Sequence, residues 1–169
     1  MGWLFTGTET VTIEKDKTHA FTVTMHQQVR QLTLELDITG DARDRITGID
    51  ATLSGVAGAI DITNGNPAGN PVTVTPVFTQ ANGKYSATIR LLGITGNTQT
   101  LSLTLHFADN NPANYTLNSD LSTQLATFNA DKKMPLTLQS ILTVVPTPTG
   151  LTSTIADWIR GDTNTGTAE

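Results

Sequence analysis

The chain has 169 residues, 37% of them hydrophobic and 15% charged, with a formal net charge of −5 and a pI near 5.0. This length suits one domain with its own core, and the acidic balance argues against nucleic acid or an anionic membrane as the partner. The absence of cysteine excludes disulfides, thiolate zinc sites and cysteine nucleophiles. No apolar run approaches the roughly 20 residues of a membrane span, and the apolar start is too short for a signal peptide.

The N-terminal part of the chain shows the period-two alternation of half-buried strands, and its parity changes once. Apolar residues occupy odd positions from Phe21 to Met25 and even positions from Leu32 to Ile38. An extra residue between these runs would restore a common inward face, as a β-bulge does, or the strand crosses there from one sheet to another. We therefore expect a break in pairing between Met25 and Leu32.

Two further strands are predicted before the middle of the chain. Ile46 to Leu53 and Val72 to Phe78 alternate, and a region rich in Gly, Asn and Pro at 61–70 separates them. Pro76 cannot donate to a ladder, which places its strand at a sheet edge. Asn82-Gly83 predicts a tight hairpin turn after it.

The region 84–107 has the clearest alternation in the sequence. Apolar residues recur at every second position in Lys84 to Leu91 and again in Leu101 to Phe107. A short loop of turn-forming residues, 93–98, joins the two runs. We expect them to pair as an antiparallel hairpin with one apolar face.

One helix is predicted in the last third. Leu121, Leu125 and Phe128 recur at i, i+4 and i+7, and Asn118 or Ser119 is suited to cap the helix start. The spacing predicts a short amphipathic helix over 119–128.

The remaining elements complete an all-β domain. Met134 to Val144 predicts a strand with Ser140 as a slip between its halves, Leu151 to Ile159 predicts the last strand, and 161–169 is expected to fray. About eight strands and one short helix at this spacing favour a two-sheet antiparallel Greek-key sandwich. An up-and-down barrel is less favoured because the strand lengths are uneven.

The side chains that could carry chemistry are scattered. The carboxylates occur singly, at Glu35, Asp37, Asp50, Asp61 and Asp157, and the histidines, none with a second at ligand spacing, are His19, His26 and His106. Residues 61–66 alternate oxygen donors and include a glycine, but they lack the closing glutamate of a calcium hand. We expect no catalytic residues, no metal and no cofactor, and hence no enzyme.

Two aromatic patches have alternative explanations. In the first, Trp158 plugs the sandwich and Phe5 packs beside it. In the second, one patch docks a neighbouring domain or subunit, and Trp3, Leu4 and Phe5 are the candidate interface. Because the alternation becomes regular only later, we expect 1–7 to be a linker or domain boundary, and 1–169 to be a single domain excised from a longer two-domain precursor.

Several stretches together resemble one family. They are Val29–Thr33, Arg45–Ile49 running on to Leu53–Gly58, Ala87–Gly93, Leu117–Leu138 and Ile155–Trp158. In this order they are similar to the FimB-type fimbrial subunits of Bacteroidales, in the fimbrillin superfamily, and the likeness extends over nearly the whole chain.

The resemblance implies a transthyretin-like sandwich from an anchor or tip lipoprotein of surface fimbriae, which assemble by strand exchange. Its implied partners are other fimbrial subunits or the upstream domain of its own precursor, and its implied location is the cell surface or outer membrane. The missing cysteine and the room for only one sandwich suggest the C-terminal domain alone. The alternative is a carbohydrate-binding or adhesin sandwich module, which an aromatic content of 5% weakens.

Overall fold

A computed structural model describes residues 2–81, 83–108, 113–148 and 150–161. Two stacked sheets form the body of the domain. The first sheet contains, in spatial order, β11 (Gly150–Ile155), β10 (Leu136–Thr147), β3 (Arg30–Thr39), β7 (Lys84–Leu91) and β6 (Thr79–Ala81), and β12 (Ile159–Arg160) also pairs with β10. The second contains β5 (Pro67–Val74), β4 (Ile46–Ile60), β8 (Thr100–Phe107) and β9 (Tyr115–Asp120).

Three smaller elements lie outside these sheets. A two-stranded ribbon is formed by β1 (Phe5–Thr6) and β2 (His26–Gln27), a 3₁₀ turn covers Arg43–Arg45, and a short helix α1 covers Ser122–Leu125.

The core lies between the two sheets and is dominated by leucine. Because strand side chains alternate between faces, β3 and β8 each bury every second residue. The largest side chains with less than 2% exposure are Leu32, Leu34, Leu36, Leu53, Leu101, Leu103, Leu105, Leu121, Leu125, Phe128, Leu138 and Leu142. The predicted sandwich with one short helix is confirmed.

The predicted hairpin of 84–107 is wrong. β7 pairs with β3 and β6 in the first sheet, whereas β8 pairs with β4 and β9 in the second. The loop between them carries the chain across the sandwich, so the two apolar faces meet over the core rather than side by side. The alternation of apolar residues indicates only that one face of each strand is buried. Two strands paired in a hairpin and two strands facing each other across the core both satisfy this requirement.

The centre of the first sheet is a parallel pair, which the sequence did not indicate. β3 and β10 run in register from Leu32 opposite Leu136 to Thr39 opposite Thr143, while the other pairs of described strands are antiparallel. On the outer face, the hydroxyl oxygens of Thr39 and Thr143 lie 3.1 Å apart, within hydrogen-bond distance.

The break expected between Met25 and Leu32 is confirmed as a sheet switch. β2 ends at Gln27 in the ribbon, and β3 begins at Arg30 in the first sheet. However, Phe21 to Met25 do not form a strand, and Phe21 is 50% exposed. Their alternation therefore belongs to a segment that this chain does not bury.

The second sheet extends further than predicted. β4 continues through the small residues after Leu53, with irregular register against β5. Gly55 has a φ of +72° and lies against the Thr98 carbonyl, where a Cβ would overlap. β5 is an edge strand, as expected, but it starts at Pro67 and ends before Pro76. β6 and β7 form the predicted hairpin; Gly83 has the positive φ of its turn, and Asn82 lies outside the described residues.

The helix is shorter than 119–128, although its buried residues are those predicted. Leu121, Leu125 and Phe128 are buried, whereas Thr123 and Thr127 are exposed. The start is capped by neither Asn118 nor Ser119. Instead the Asp120 carboxylate accepts hydrogen bonds from the Ser122 N–H at 2.9 Å and hydroxyl at 2.5 Å, which lower the pKa of Asp120.

The C-terminal strands also differ from the prediction. Ser140 is not a slip, because it is buried on the same face as Leu138 and Leu142, and its hydroxyl donates to the Ala156 carbonyl at 2.7 Å. Met134 lies before β10 and is exposed. The expected last strand is divided into β11 and β12 around the buried Trp158. The tail beyond Gly161 lies outside the described residues.

Phe128→Ala should lower the free energy of unfolding by about 3–5 kcal/mol, because the ring is 1% exposed and its removal leaves a cavity. Phe21→Ala is the matched control: that ring is 50% exposed, and we expect a change within about 0.5 kcal/mol. Urea unfolding followed by circular dichroism measures both. A loss below about 1 kcal/mol for Phe128→Ala would show that the helical segment is peripheral to the core.

Candidate functional site

The N-terminal arm, residues 2–28, projects from the sandwich. At its base β1 pairs with β2, with Phe5 opposite Gln27 and Thr6 opposite His26. At its tip a turn at 15–16 reverses the chain, and the His19 ring nitrogen Nε2 lies 3.0 Å from the Glu14 main-chain nitrogen. Glu14 also pairs with Lys17. Contacts between the two limbs thus close the arm at its base and at its tip. Residues 8–18 and 20–26 are all exposed, so neither face of the arm is covered.

One face of the arm is apolar. The register at the base, carried outward, sets odd positions of one limb opposite odd positions of the other, so they share a face. The His19 and Phe21 rings stack with centroids 5.9 Å apart, as neighbours on one face do. The large apolar residues at these positions, 41–69% exposed, are Phe5, Val11, Ile13, Phe21, Val23 and Met25. From Thr6 to His26, threonines and other small or polar residues occupy the even positions.

Glycine allows the two limbs to approach each other near the base. A Cβ added at Gly7 would lie 2.5 Å from the Thr24 carbonyl oxygen and 2.8 Å from Val23 Cγ1, closer than such atoms can approach. The limbs therefore contact each other beyond the last paired residues of β1 and β2.

The three predicted interface residues lie at the base of the arm. Trp3 is 49% exposed, Leu4 39% and Phe5 48%. The Trp3 ring stacks on Arg90, with the guanidinium carbon 4.6 Å from the ring centroid, and the Leu4 carbonyl accepts the Gln28 N–H at 2.8 Å.

Trp158 does plug the sandwich, as predicted, but Phe5 does not pack beside it. The indole is 3% exposed and donates its Nε1–H to the Ser119 hydroxyl at 3.0 Å, whereas Phe5 is half exposed on the arm. The assignment of Trp3, Leu4 and Phe5 to an interface stays a prediction.

A latch of polar side chains, Gln27, Gln28 and Lys132, fastens the arm to the sandwich. The Lys132 ammonium donates to Gln28 Oε1 at 3.1 Å and to the Gly65 carbonyl at 2.5 Å. Gln28 Nε2 donates to the Thr6 hydroxyl at 2.7 Å, and Gln27 Nε2 donates to the Lys132 carbonyl at 2.6 Å. Partial burial lowers the pKa of Lys132. The latch sets the direction in which the arm leaves the sandwich.

Arg30 contacts the chain segment on either side of Lys132. Its guanidinium donates to the carbonyls of Met134 at 2.6 Å and Phe128 at 2.7 Å, and its carbon lies 5.1 Å from the Phe128 ring centroid. Burial is the main cause that lowers the pKa of Arg30; nearby Asp131 acts in the opposite direction. A buried arginine satisfied by backbone carbonyls connects the start of β3 to the segment before β10.

An open cleft of about 720 Å³ lies between the arm base, the loop 62–66 and the loop 129–133. Several of its side chains are already used: Asn129 exchanges two hydrogen bonds of 2.8 Å with the Ile94 backbone, and Asp131 accepts from the Lys133 N–H at 2.9 Å. The described residues that line it include no Trp, Tyr or Phe. The cleft therefore lacks the aromatic platform on which a sugar ring stacks.

Two of the histidines, His19 and His106, and the loop 61–66 are engaged in structural contacts. The His106 ring lies 2.8 Å from Asp50 Oδ2 on the outer face of the second sheet. Asp61 accepts from the N–H and hydroxyl of Thr63 and from Asn64 Nδ2, and these bonds lower the pKa of Asp61. Such bonds are those of a turn. Among the described residues no group of three or more His, Asp or Glu side chains is placed to hold a metal ion.

The structure brings Asp157 close to Glu35 and Asp37, from which it is distant in the sequence. Glu35, Asp37 and Asp157 line a shallow groove of about 240 Å³ with Lys84, and Gln139 Nε2 donates to Glu35 Oε2 at 2.7 Å. This grouping depends on the parallel pairing of β3 with β10, which places Glu35 beside Gln139. No local sequence signal indicates this grouping.

No helix in the described part of the chain is long and apolar enough to cross a membrane.

Lys132→Met should loosen the arm, because the Gln28 side chain and the Gly65 carbonyl lose their donor. We expect faster amide hydrogen exchange in peptides covering 22–28, with a change in unfolding free energy of about 1 kcal/mol. Lys133→Met is the control, since this neighbouring side chain is exposed and outside the latch. Equal exchange in the two variants would show that the latch does not hold the arm.

Comparison with solved structures supports the fold. A candidate adhesin from Bacteroides ovatus ATCC 8483 superposes with a TM-score of 0.55 at 11% identity, over 69% of this chain and 47% of that one. A second candidate adhesin from Bacteroides ovatus gives 0.52 at 13% identity, over 94% and 59%. The chain thus spans about half the length of these structures, 47% and 59%. No curated protein gives a significant sequence match.

The sequence profile of one family, the fimbrillin-A associated anchor proteins Mfa1 and Mfa2, matches residues 1–160. This match extends over the arm, both sheets and the latch, and it agrees with the resemblance carried by the strand motifs. The chain belongs to the Mfa2 family of fimbrillin-A associated anchor proteins.

Proposed function

We propose that this chain is a non-catalytic structural domain of a bacterial cell-surface fimbrial subunit, of the anchor, tip or adhesin-like type. Its partners are other fimbrial subunits or the upstream domain of its own precursor. The observation that carries the proposal is the projecting arm, whose apolar face is left uncovered in a member of a fimbrial anchor family.

The physical basis is a surface made for protein contact. The arm offers apolar side chains, and the sandwich ends in edge strands β5, β9, β6 and β11. Edge strands present unpaired N–H and C=O groups to which another strand can add. Strand addition and arm docking therefore use different parts of the domain, and both bind protein rather than a small molecule.

The proposal also covers the domain organisation of the precursor, its location and the neighbour of the N-terminal segment. In this proposal the chain is one domain of a two-domain precursor, with 1–7 as the boundary; its span of 47% and 59% of the compared structures supports this assignment. That precursor is a lipoprotein exposed at the outer membrane, and its sandwich is of the transthyretin-like type. Trp3, Leu4 and Phe5 contact the neighbouring domain or subunit.

A carbohydrate-binding or stand-alone adhesin module is the second candidate. The large polar cleft at the arm base favours it, and the lack of aromatic side chains in the described lining argues against it. A glycan ligand would bind that cleft and leave the arm free.

In the bacterium that encodes the protein, intact cells treated with protease should lose the domain, while a cytoplasmic marker survives. The domain should also co-purify with sheared fimbriae. A variant lacking residues 8–25, the exposed part of the arm, should still reach the surface but fail to co-purify, because the apolar face is gone. A domain protected from protease, or fimbriae that retain the variant, would contradict the proposal.

Deletion of residues 1–7 should lower Tm by no more than about 3 °C, because the segment is half exposed and adds few contacts to the core. The same deletion should weaken association with the subunit partner. Trp158→Ala is the control for a structural aromatic, with an expected loss of about 3–5 kcal/mol. A Tm drop on truncation comparable with that of Trp158→Ala would make the segment a structural strand.

A further inference from the structure

We propose that the apolar face of the N-terminal arm pairs with the same face of a second copy of this chain. The inference rests on the proposed function, since it identifies the subunit partner of the arm as an identical domain. The contact is a ribbon packed on a ribbon, with the threonine faces turned outward to solvent.

The arm is a structure that requires a cover. A two-stranded ribbon alone in water is at best marginally stable, and this one has only two pairs of laddered residues, at Phe5–Gln27 and Thr6–His26. The six large apolar side chains on the odd positions are 41–69% exposed. Burying them against an apolar surface would supply the stabilisation that the ribbon lacks.

The described part of the sandwich does not supply this cover. Its two sheets bury their inner faces against each other, and the core contains no residue of the arm. The latch holds the arm base at the rim, next to Gly65 and Lys132, from which the limbs project into solvent. The covering surface therefore comes from outside the part of the chain that the structure describes.

A second copy matches the arm in length, width and polarity. Two such faces bring together six large apolar side chains from each copy, roughly 600 Å² per chain, which reaches the lower end of a specific interface. A two-fold contact uses the same patch on both partners and closes without further growth. The tip residues 14–17 carry two acids and two bases, so the tips do not repel each other through net charge. Glu9 is the acidic exception among the odd positions of the limbs.

Sedimentation equilibrium of the chain 1–169 from about 1 to 200 µM tests the proposal, and we expect a monomer–dimer equilibrium with a Kd of roughly 1–50 µM. Phe21→Glu should raise this Kd at least about tenfold, because it places a charge in the apolar contact. Thr22→Glu is the matched control: the neighbouring residue takes the same charge on the polar face, and its Kd should change less than about twofold. Equal Tm values for the variants would confirm that folding is unaffected.

The absence of cysteine allows a second measurement that does not depend on affinity. In a two-fold contact only residues next to the axis meet their own copies. Under mild oxidation, the variant nearest the axis among the single-cysteine variants Val11→Cys, Phe21→Cys and Val23→Cys should therefore form a disulfide-linked dimer much faster than Thr22→Cys, because only the odd positions face the partner. Equal rates for the two faces would overturn the pairing.

The outcomes separate this inference from the proposed function. A chain that stays monomeric at about 200 µM, or a dimer weakened by Thr22→Glu rather than Phe21→Glu, overturns pairing with a second copy. If the monomeric domain still co-purifies with fimbriae through its arm, the arm binds a different subunit and the proposed function stands. A dimer formed as predicted by a protein that never reaches the cell surface would leave the pairing intact and overturn the proposed function.

Discussion

The parallel ladder between β3 and β10 is the interaction on which the rest of the domain depends. It joins Leu32–Thr39 to Leu136–Thr143 at the centre of the first sheet. β7 and β6 are attached through β3, and β11 and β12 through β10. A parallel pair needs a long crossover, and here residues 40–135 provide it and contain the whole second sheet. Closing this ladder therefore also brings the second sheet over the core.

The same ladder determines where the arm lies. Arg30, at the start of β3, donates to the Phe128 and Met134 carbonyls in the segment that leads into β10. Lys132, in that segment, then holds Gln28 at the arm base. A cation buried among carbonyls is stable only while its acceptors stay in place. The arm thus takes its position from the packing of Phe128 and the pairing of β10, which are core features.

The sequence predicts which residues are buried better than it predicts which strands pair with each other. Alternation found the inward faces of β3, β7 and β8, and the spacing of Leu121, Leu125 and Phe128 found the buried helix face. It could not decide whether β7 and β8 pair or face each other, because partner choice depends on distant segments. The burial of Ser140 could not be predicted, because it depends on the Ala156 carbonyl, a partner that lies in a later segment between β11 and β12.

The candidate site was predictable in part, for a related reason. The position of Trp3, Leu4 and Phe5 predicts an interface, but the alternation from Phe21 to Met25 predicts only an ordinary strand. Their alternation is the same as that of Leu32 to Ile38, and the exposure differs completely. A period-two pattern indicates that one face of a strand is to be buried, but it does not indicate which molecule buries that face. When the described sandwich leaves such a face open on a ribbon too small to be stable alone, the pattern is information about assembly rather than about the fold.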